Sequence, residues 1–188
     1  MIDFMSLYIP VILGTARSGR KSELVANYVL EFVKKLGVET ELLDVRNFPQ
    51  TYTQEKTKAI SAWHTKAAQA DAYIIVTPEY NHGYPGELKL FLDNVYIECN
   101  RKPLSLVGVS SGPFGGARAI EQLKAVAVEF QLLPLKSSVY FGNIISLFDD
   151  SGKLKDQATW DKKLTQLTTE LLWYAKLLQA GRQELLKI

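Results

Sequence analysis

Five short, largely apolar runs, spaced so that a helix fits between each pair, constrain this chain more than any other feature: LYIPVILG, VETELLDV, AYIIVTP, PLSLVGVSS and LKSSVYF. Strands that stay apolar along most of their length are covered on both faces. The stretches between and after them carry a helical period, over residues 23–36, 54–69, 87–98, 117–130 and 160–178; in the first, Leu24, Val25, Tyr28, Val29 and Phe32 share one side. Parallel strands joined by helix-length, right-handed crossovers give a doubly wound α/β fold, with helices on both faces of a parallel five-stranded sheet. At 188 residues, 47% of them hydrophobic, one domain over residues 1–188 suffices for a full core. Pro10 has no N–H for a ladder, so it belongs at the start of the first strand or at an irregular point in it. In the last helix, Leu164, Leu167, Leu171, Tyr174 and Leu178 form a stripe expected to face the sheet.

Ligands of such sheets gather at the carboxyl ends of the strands. Three loops stand there: GTARSGRKS after the first strand, TPEYNHGYPG after the third and SSGPFGGAR after the fourth. The first nearly spells a triphosphate loop, but Arg20 separates Gly19 from Lys21 and turns Lys21 and Ser22 by about 100° on the following helix. The third strand ends in Thr77 and Pro78, where a magnesium-holding Asp is expected. An ATPase is thereby disfavoured. What remains is a monophosphate site: backbone amides at a helix start, the Thr15 hydroxyl, and the cations Arg17, Arg20 and Lys21, of which a guanidinium makes the closer contact. The dinucleotide fingerprint G-x-G-x-x-G is missing from this turn, which points to a mononucleotide. In the second loop, Pro78, Glu79, Tyr80 and Asn81 can present main-chain groups edgewise to a flat ligand, while Glu79 could equally cap a neighbouring helix. In the third, Gly112, Phe114, Gly115 and Gly116 allow a ring to approach the backbone, or a helix to pack closely on a strand.

Charge and rare residues narrow the class. Twenty-two basic and 20 acidic residues give a net +2, with no basic face for nucleic acid or a membrane surface. One cysteine and two histidines leave no disulfide framework and make a metal centre unexpected. The opening MIDFMSLYIP has no basic region before an apolar core, and the chain reads as a cytoplasmic protein. No nucleophile with its base, and no carboxylate pair, is evident, so no catalytic side chain is expected.

Together, G-T-x-R-x-G-R at residues 14–20, P-E-Y-N at 78–81, Y-P-G-x-L-K at 84–89 followed by Asp93, and G-x-x-G-G-A-R at 112–118 resemble the NADPH-dependent FMN reductase family of flavodoxin-like proteins. The resemblance implies a strand order of 2-1-3-4-5. It also implies FMN phosphate on Thr15, Arg17 and the backbone through Gly19, Arg20, Lys21 and Ser22. The ring would then lie against Pro78, Glu79, Tyr80 and Asn81, with Gly112–Gly116 along another edge. A homodimer, or a tetramer of such dimers, is implied as well. Hydride would pass from NADPH or NADH, by way of bound FMN, to a small acceptor such as a quinone, an azo compound or free flavin, in ping-pong fashion. Leu90 and Phe91 depart from the family pattern, in which a small or polar residue often follows the lysine. Two other classes fit the fold: a one-electron carrier, disfavoured by the balanced charge, and a flavin-free phospholigand protein.

Overall fold

The computed structural model describes residues 6–185, so the opening residues 1–5 of the leader reading lie outside it. The elements run β1 (Val11–Leu13), α1 (Ser22–Lys34), β2 (Leu42–Asp44), α2 (Lys58–Gln69), β3 (Tyr73–Pro78), α3 (Gly86–Leu92), β4 (Pro103–Val109), α4 (Ala117–Glu129), β5 (Leu133–Phe141), α5 (Ile144–Leu147) and α6 (Gln157–Leu185). Single 3-10 turns occupy Val45–Asn47 and Ile97–Cys99. The sheet is parallel throughout, in the order β2-β1-β3-β4-β5. The flavodoxin-like order expected from the resemblance is therefore the one observed.

Local chemistry explains where the elements depart from the sequence reading. The first strand is short because Pro10 interrupts it; an isolated bridge joins Tyr8 to Glu39 before the ladder resumes at Val11. The second helix starts at Lys58 and not at residue 54, since Thr57 takes the N-cap and its hydroxyl accepts from Ile60 N at 3.1 Å. The third stops at Leu92 and does not reach residue 98. There the Asn94 amide donates to Leu90 O at 2.6 Å and accepts from Gln54 N at 2.8 Å, drawing the backbone out of the helix. The last helix is longer than its apolar stripe, and the short α5 was not anticipated.

Each sheet face has its own core. On one, α1 and α6 bury Val25, Val29, Leu164, Leu167 and Leu171, and Phe141 stacks on Trp160 at 4.0 Å. On the other, Trp63, Leu88, Phe91, Ile120 and Leu123 of α2, α3 and α4 pack together, with Trp63 on Phe91 at 4.3 Å. Covering both faces leaves the strand ends as the places where the backbone is open to a ligand.

Cys99 sits at the foot of the second core, buried, and burial pushes its thiol up to about 11. A thiol that is neither exposed nor ionised is a poor nucleophile. At pH about 8 the folded protein is expected to show no rapid reaction with Ellman's reagent, and one thiol per chain after denaturation. Rapid reaction of the native protein would show that the Ile97–Cys99 turn opens locally.

Candidate functional site

The loop from Gly14 to Lys21 is fixed by side chains from three elements. At the end of β2, Asp44 receives both ends of the Arg20 guanidinium, which also donates to Thr15 O and approaches Glu23. Two residues on, Arg46 donates to Ala16 O at 3.0 Å and to Arg17 O. From the first turn of α3, Glu87 accepts from the Thr15 hydroxyl at 2.8 Å and from Ala16 N at 2.9 Å. Burial works to raise both carboxyls, yet the hydrogen bonds from Arg20 and Arg46 N hold Asp44 below its ordinary range, and those from Ala16 N and Thr15 do the same for Glu87. Both are therefore anions at neutral pH, and their bonds hold the loop from two sides.

The first turn of α1 is left open by this arrangement. Lys21 at its N-cap makes no side-chain capping bond; Leu24 N reaches back to Lys21 O at 3.1 Å, while the amides before it have no carbonyl one turn back to reach. Ser22, the first helical residue, is buried, and its hydroxyl has no hydrogen-bond partner. An orphan donor beside free helix-start amides, with Arg17 and Lys21 on the rim, is a ready site for a doubly charged phosphate.

From there a cleft of about 330 Å³ runs across the carboxyl end of the sheet, lined by Arg17, Gly19, Arg20, Lys21 and Ser22, by Pro78, Glu79 and Tyr80, by Val109, Ser110 and Ser111, and by Ile144 and Ile145. The cleft thus brings together most of the residues expected to meet a cofactor. Thr15 lies beneath them, fully buried, its hydroxyl bonded to Glu87 and to the Tyr80 phenol at 3.0 Å. Arg20 lines the cleft but is engaged with Asp44, which makes it a brace of the loop more than a free phosphate ligand. Arg17, with its guanidinium 5.8 Å from the centre of the Tyr80 ring, and Lys21 are the lining cations left to reach an anion.

The second loop turns tightly. Tyr80 and Gly83 exchange two backbone bonds of 2.9 Å across Asn81 and His82. Glu79 points away from the open cleft to ion-pair with Arg118 and to accept from Arg118 N at 3.2 Å, so it caps α4 as well as lining the site. Asn81 is exposed in the turn and is not among the lining residues.

The third loop departs most from expectation. Its first residues, Ser110 and Ser111, line the cleft, whereas Gly112–Gly116 do not. Gly115 faces β5: a Cβ there would stand 2.7 Å from Tyr140 C and Cβ. At Gly116 a Cβ would stand 2.8 Å from Val109 N, and Cβ atoms on Gly108 and Gly142 would overlap Gly115 O and Pro113 O. Gly115 and Gly116 thus let the loop lie between two strand ends, a packing role. Phe114 is 64% exposed, with Arg118 lying 5.4 Å from its ring centre.

Sequence reasoning missed Asp44, Arg46 and Glu87, which no local pattern ties to a loop up to 73 residues away, and Ile144 and Ile145. The rule that ligands gather at strand carboxyl ends, applied to GNIISLF after the fifth strand, would have found the last two.

A parallel sheet in the order 2-1-3-4-5, with an open helix start and a cleft at its carboxyl edge, defines a flavodoxin-like α/β protein. Residues 7–145 match the NADPH-dependent FMN reductase family, and the chain belongs to that family. An NAD(P)H-dependent FMN reductase of Schizosaccharomyces pombe is 40% identical over 134 residues, which cover 63% of this chain and 64% of that protein. A quinone reductase of Escherichia coli K12 is 29% identical over 86% of this chain and 92% of its own. Among solved structures, FerB, a flavoenzyme NAD(P)H:(acceptor) oxidoreductase from Paracoccus denitrificans, superposes with a TM-score of 0.74 over 90% of this chain and 98% of its own, at 19% identity; that likeness speaks to the fold.

The site suits the family's cofactor. The orphan Ser22 hydroxyl and the helix start without a side-chain cap match a phosphate, and the cleft beside them is lined by Pro78–Tyr80 and Val109–Ser111. Among the described residues no cluster of His, Cys, Asp or Glu could hold a metal ion, and no helix is long and apolar enough to cross a membrane.

Proposed function

We propose that this chain is an FMN-dependent oxidoreductase that passes hydride from NADPH or NADH to a small acceptor such as a quinone, an azo compound or free flavin. It would act in the cytoplasm as a single-domain subunit of a homodimer. The observation that carries the reading is the unpartnered Ser22 hydroxyl at the start of α1, beside a cleft of about 330 Å³ at the carboxyl ends of the strands. Bound there, FMN supplies the hydride-accepting and hydride-donating chemistry that the side chains lack. The chain's own contribution is positional. Ser22, Arg17 and the helix-start amides fix the phosphate end; the backbone from Pro78 to Tyr80 and from Val109 to Ser111 walls the ring end. Asp44, Arg46 and Glu87 keep the loop in its binding shape before the ligand arrives, so little ordering is needed on binding.

Two measurements test this. With FMN added anaerobically, NADPH or NADH is expected to bleach the flavin band near about 450 nm, and a quinone to restore it. Flavin that binds but resists both nucleotides would point to an electron carrier, and absence of flavin binding to a phospholigand protein. Separately, Ser22→Ala removes a charge-assisted hydrogen bond to phosphate worth about 1.5–3 kcal/mol. It is expected to weaken FMN binding roughly 10- to 100-fold while leaving riboflavin binding and urea unfolding unchanged. Wild-type FMN affinity in that variant would displace the phosphate from α1.

A further inference from the structure

We infer that His82 is a positioning residue: its neutral imidazole ties the turn after β3 to α4, and its protonation releases that turn and loosens the cleft. Only the consequence for flavin rests on the function proposed above.

The turn is held in an unfavourable shape. Asn81 and His82 are consecutive non-glycine residues with φ of 50° and 69°, a conformation that crowds an L side chain against its own backbone. The two bonds between Tyr80 and Gly83 support it from within. From outside, support comes from α4: Gln122 donates to His82 O at 3.1 Å, and Arg118 Nη1 lies 2.7 Å from His82 Nε2. The same Arg118 donates through Nε to Glu79 Oε1 at 2.6 Å.

Chemistry assigns the proton in this array. A guanidinium has only donors and does not ionise in proteins, so Nε2 of His82 must accept and its ring proton must sit on Nδ1. A second proton taken up at Nε2 removes that acceptor and sets two cations side by side. The groups facing His82 give no relief. From α4 come Arg118, already positive, and the neutral Gln122; from the end of β3 comes Glu79, whose carboxylate is engaged by the Arg118 side chain and by Arg118 N. Protonated His82 is therefore pushed off Arg118, and the turn keeps its unfavourable backbone with one support fewer. Loosening reaches the cleft directly, because Glu79 and Tyr80 line it and the Tyr80 phenol is bonded to Thr15 at the base of the phosphate loop.

The test uses the ligand-free protein first. The chain has two histidines, His64 and His82, so an NMR titration of the imidazole C–H signals shows two curves, and His82→Gln, which keeps a neutral acceptor, assigns them. As His82 takes up its second proton, the amides of residues 81–83 are expected to shift with the same midpoint as its ring signals. Turn amides that stay fixed while the His82 ring signals move overturn the assignment. The second readout is riboflavin affinity, chosen because the FMN phosphate itself ionises near pH 6. Wild type is expected to lose about tenfold in affinity between pH about 7.5 and 5, and His82→Gln to stay level. Equal losses in both proteins overturn the link from His82 to the cleft. If no flavin binds at any pH, the functional reading fails, and the ligand-free titration still decides the role of His82.

Discussion

Asp44→Ala is expected to destabilise the protein by about 3 kcal/mol and to weaken FMN binding by more than tenfold, although Asp44 itself does not line the cleft. The reason is Arg20. Its side chain is 1% exposed, and Asp44 is its closest countercharge; removing that carboxylate leaves a buried guanidinium with only the half-exposed Glu23 opposite it, the expensive half of a broken ion pair. Relief comes only if Arg20 swings out, which abandons Thr15 O and undoes the loop that must meet the phosphate. Arg20→Met with Asp44→Leu removes both charges together and is expected to recover much of the stability but not the affinity, a contrast that separates bracing from folding. Acid provides an independent check on Asp44→Asn. The folded-state carboxyl of Asp44 lies below its unfolded value, so its stabilisation is complete above about pH 4 and is lost as pH falls through the folded value. The stability gap between wild type and Asp44→Asn is thus expected to be widest near neutrality and to narrow below pH about 4. A gap independent of pH would mean that the charge on Asp44 is not what holds Arg20.

These same residues mark how far the sequence could be read. Strand count, helix sides and the three ligand loops were legible because each rests on a local signal: apolar runs, a 3.6-residue period, glycine and proline punctuation. The loop at the start of α1 was legible as a candidate anion site for the same reason, as Thr15, Arg17 and Ser22 sit in eight consecutive residues at one strand-to-helix turn. Strand order came by resemblance and not from periodicity. The braces were not legible. Asp44 and Arg46 belong to the end of β2 and Glu87 to α3, and they meet the loop only because β1 pairs with β2 and α3 packs beside it. The end of α3 was misplaced because a helical period says nothing of an asparagine whose side chain diverts the next turn.

The glycines of the third loop show how one motif admits two roles, and they yield the sharpest remaining expectation. From sequence, Gly115 could admit a ring or close packing; in the fold its φ is +60°, and a Cβ would press on the Tyr140 backbone at 2.7 Å and on Gly142 N at 3.0 Å. Gly115→Val therefore combines a disfavoured backbone with a clash against chain that cannot give way, together about 3–5 kcal/mol, enough to consume much of a small domain's stability. The variant is expected to unfold at markedly lower urea than wild type before any flavin is added. Gly112→Ala is the companion: no atom lies within 4 Å of the position a Cβ would take, and its backbone is not left-handed, so unfolding should be unchanged. If Gly115→Val instead folds with wild-type stability and loses only flavin, the loop has swung off β5 in solution. Its glycine would then stand at the ring edge, as the family resemblance first implied.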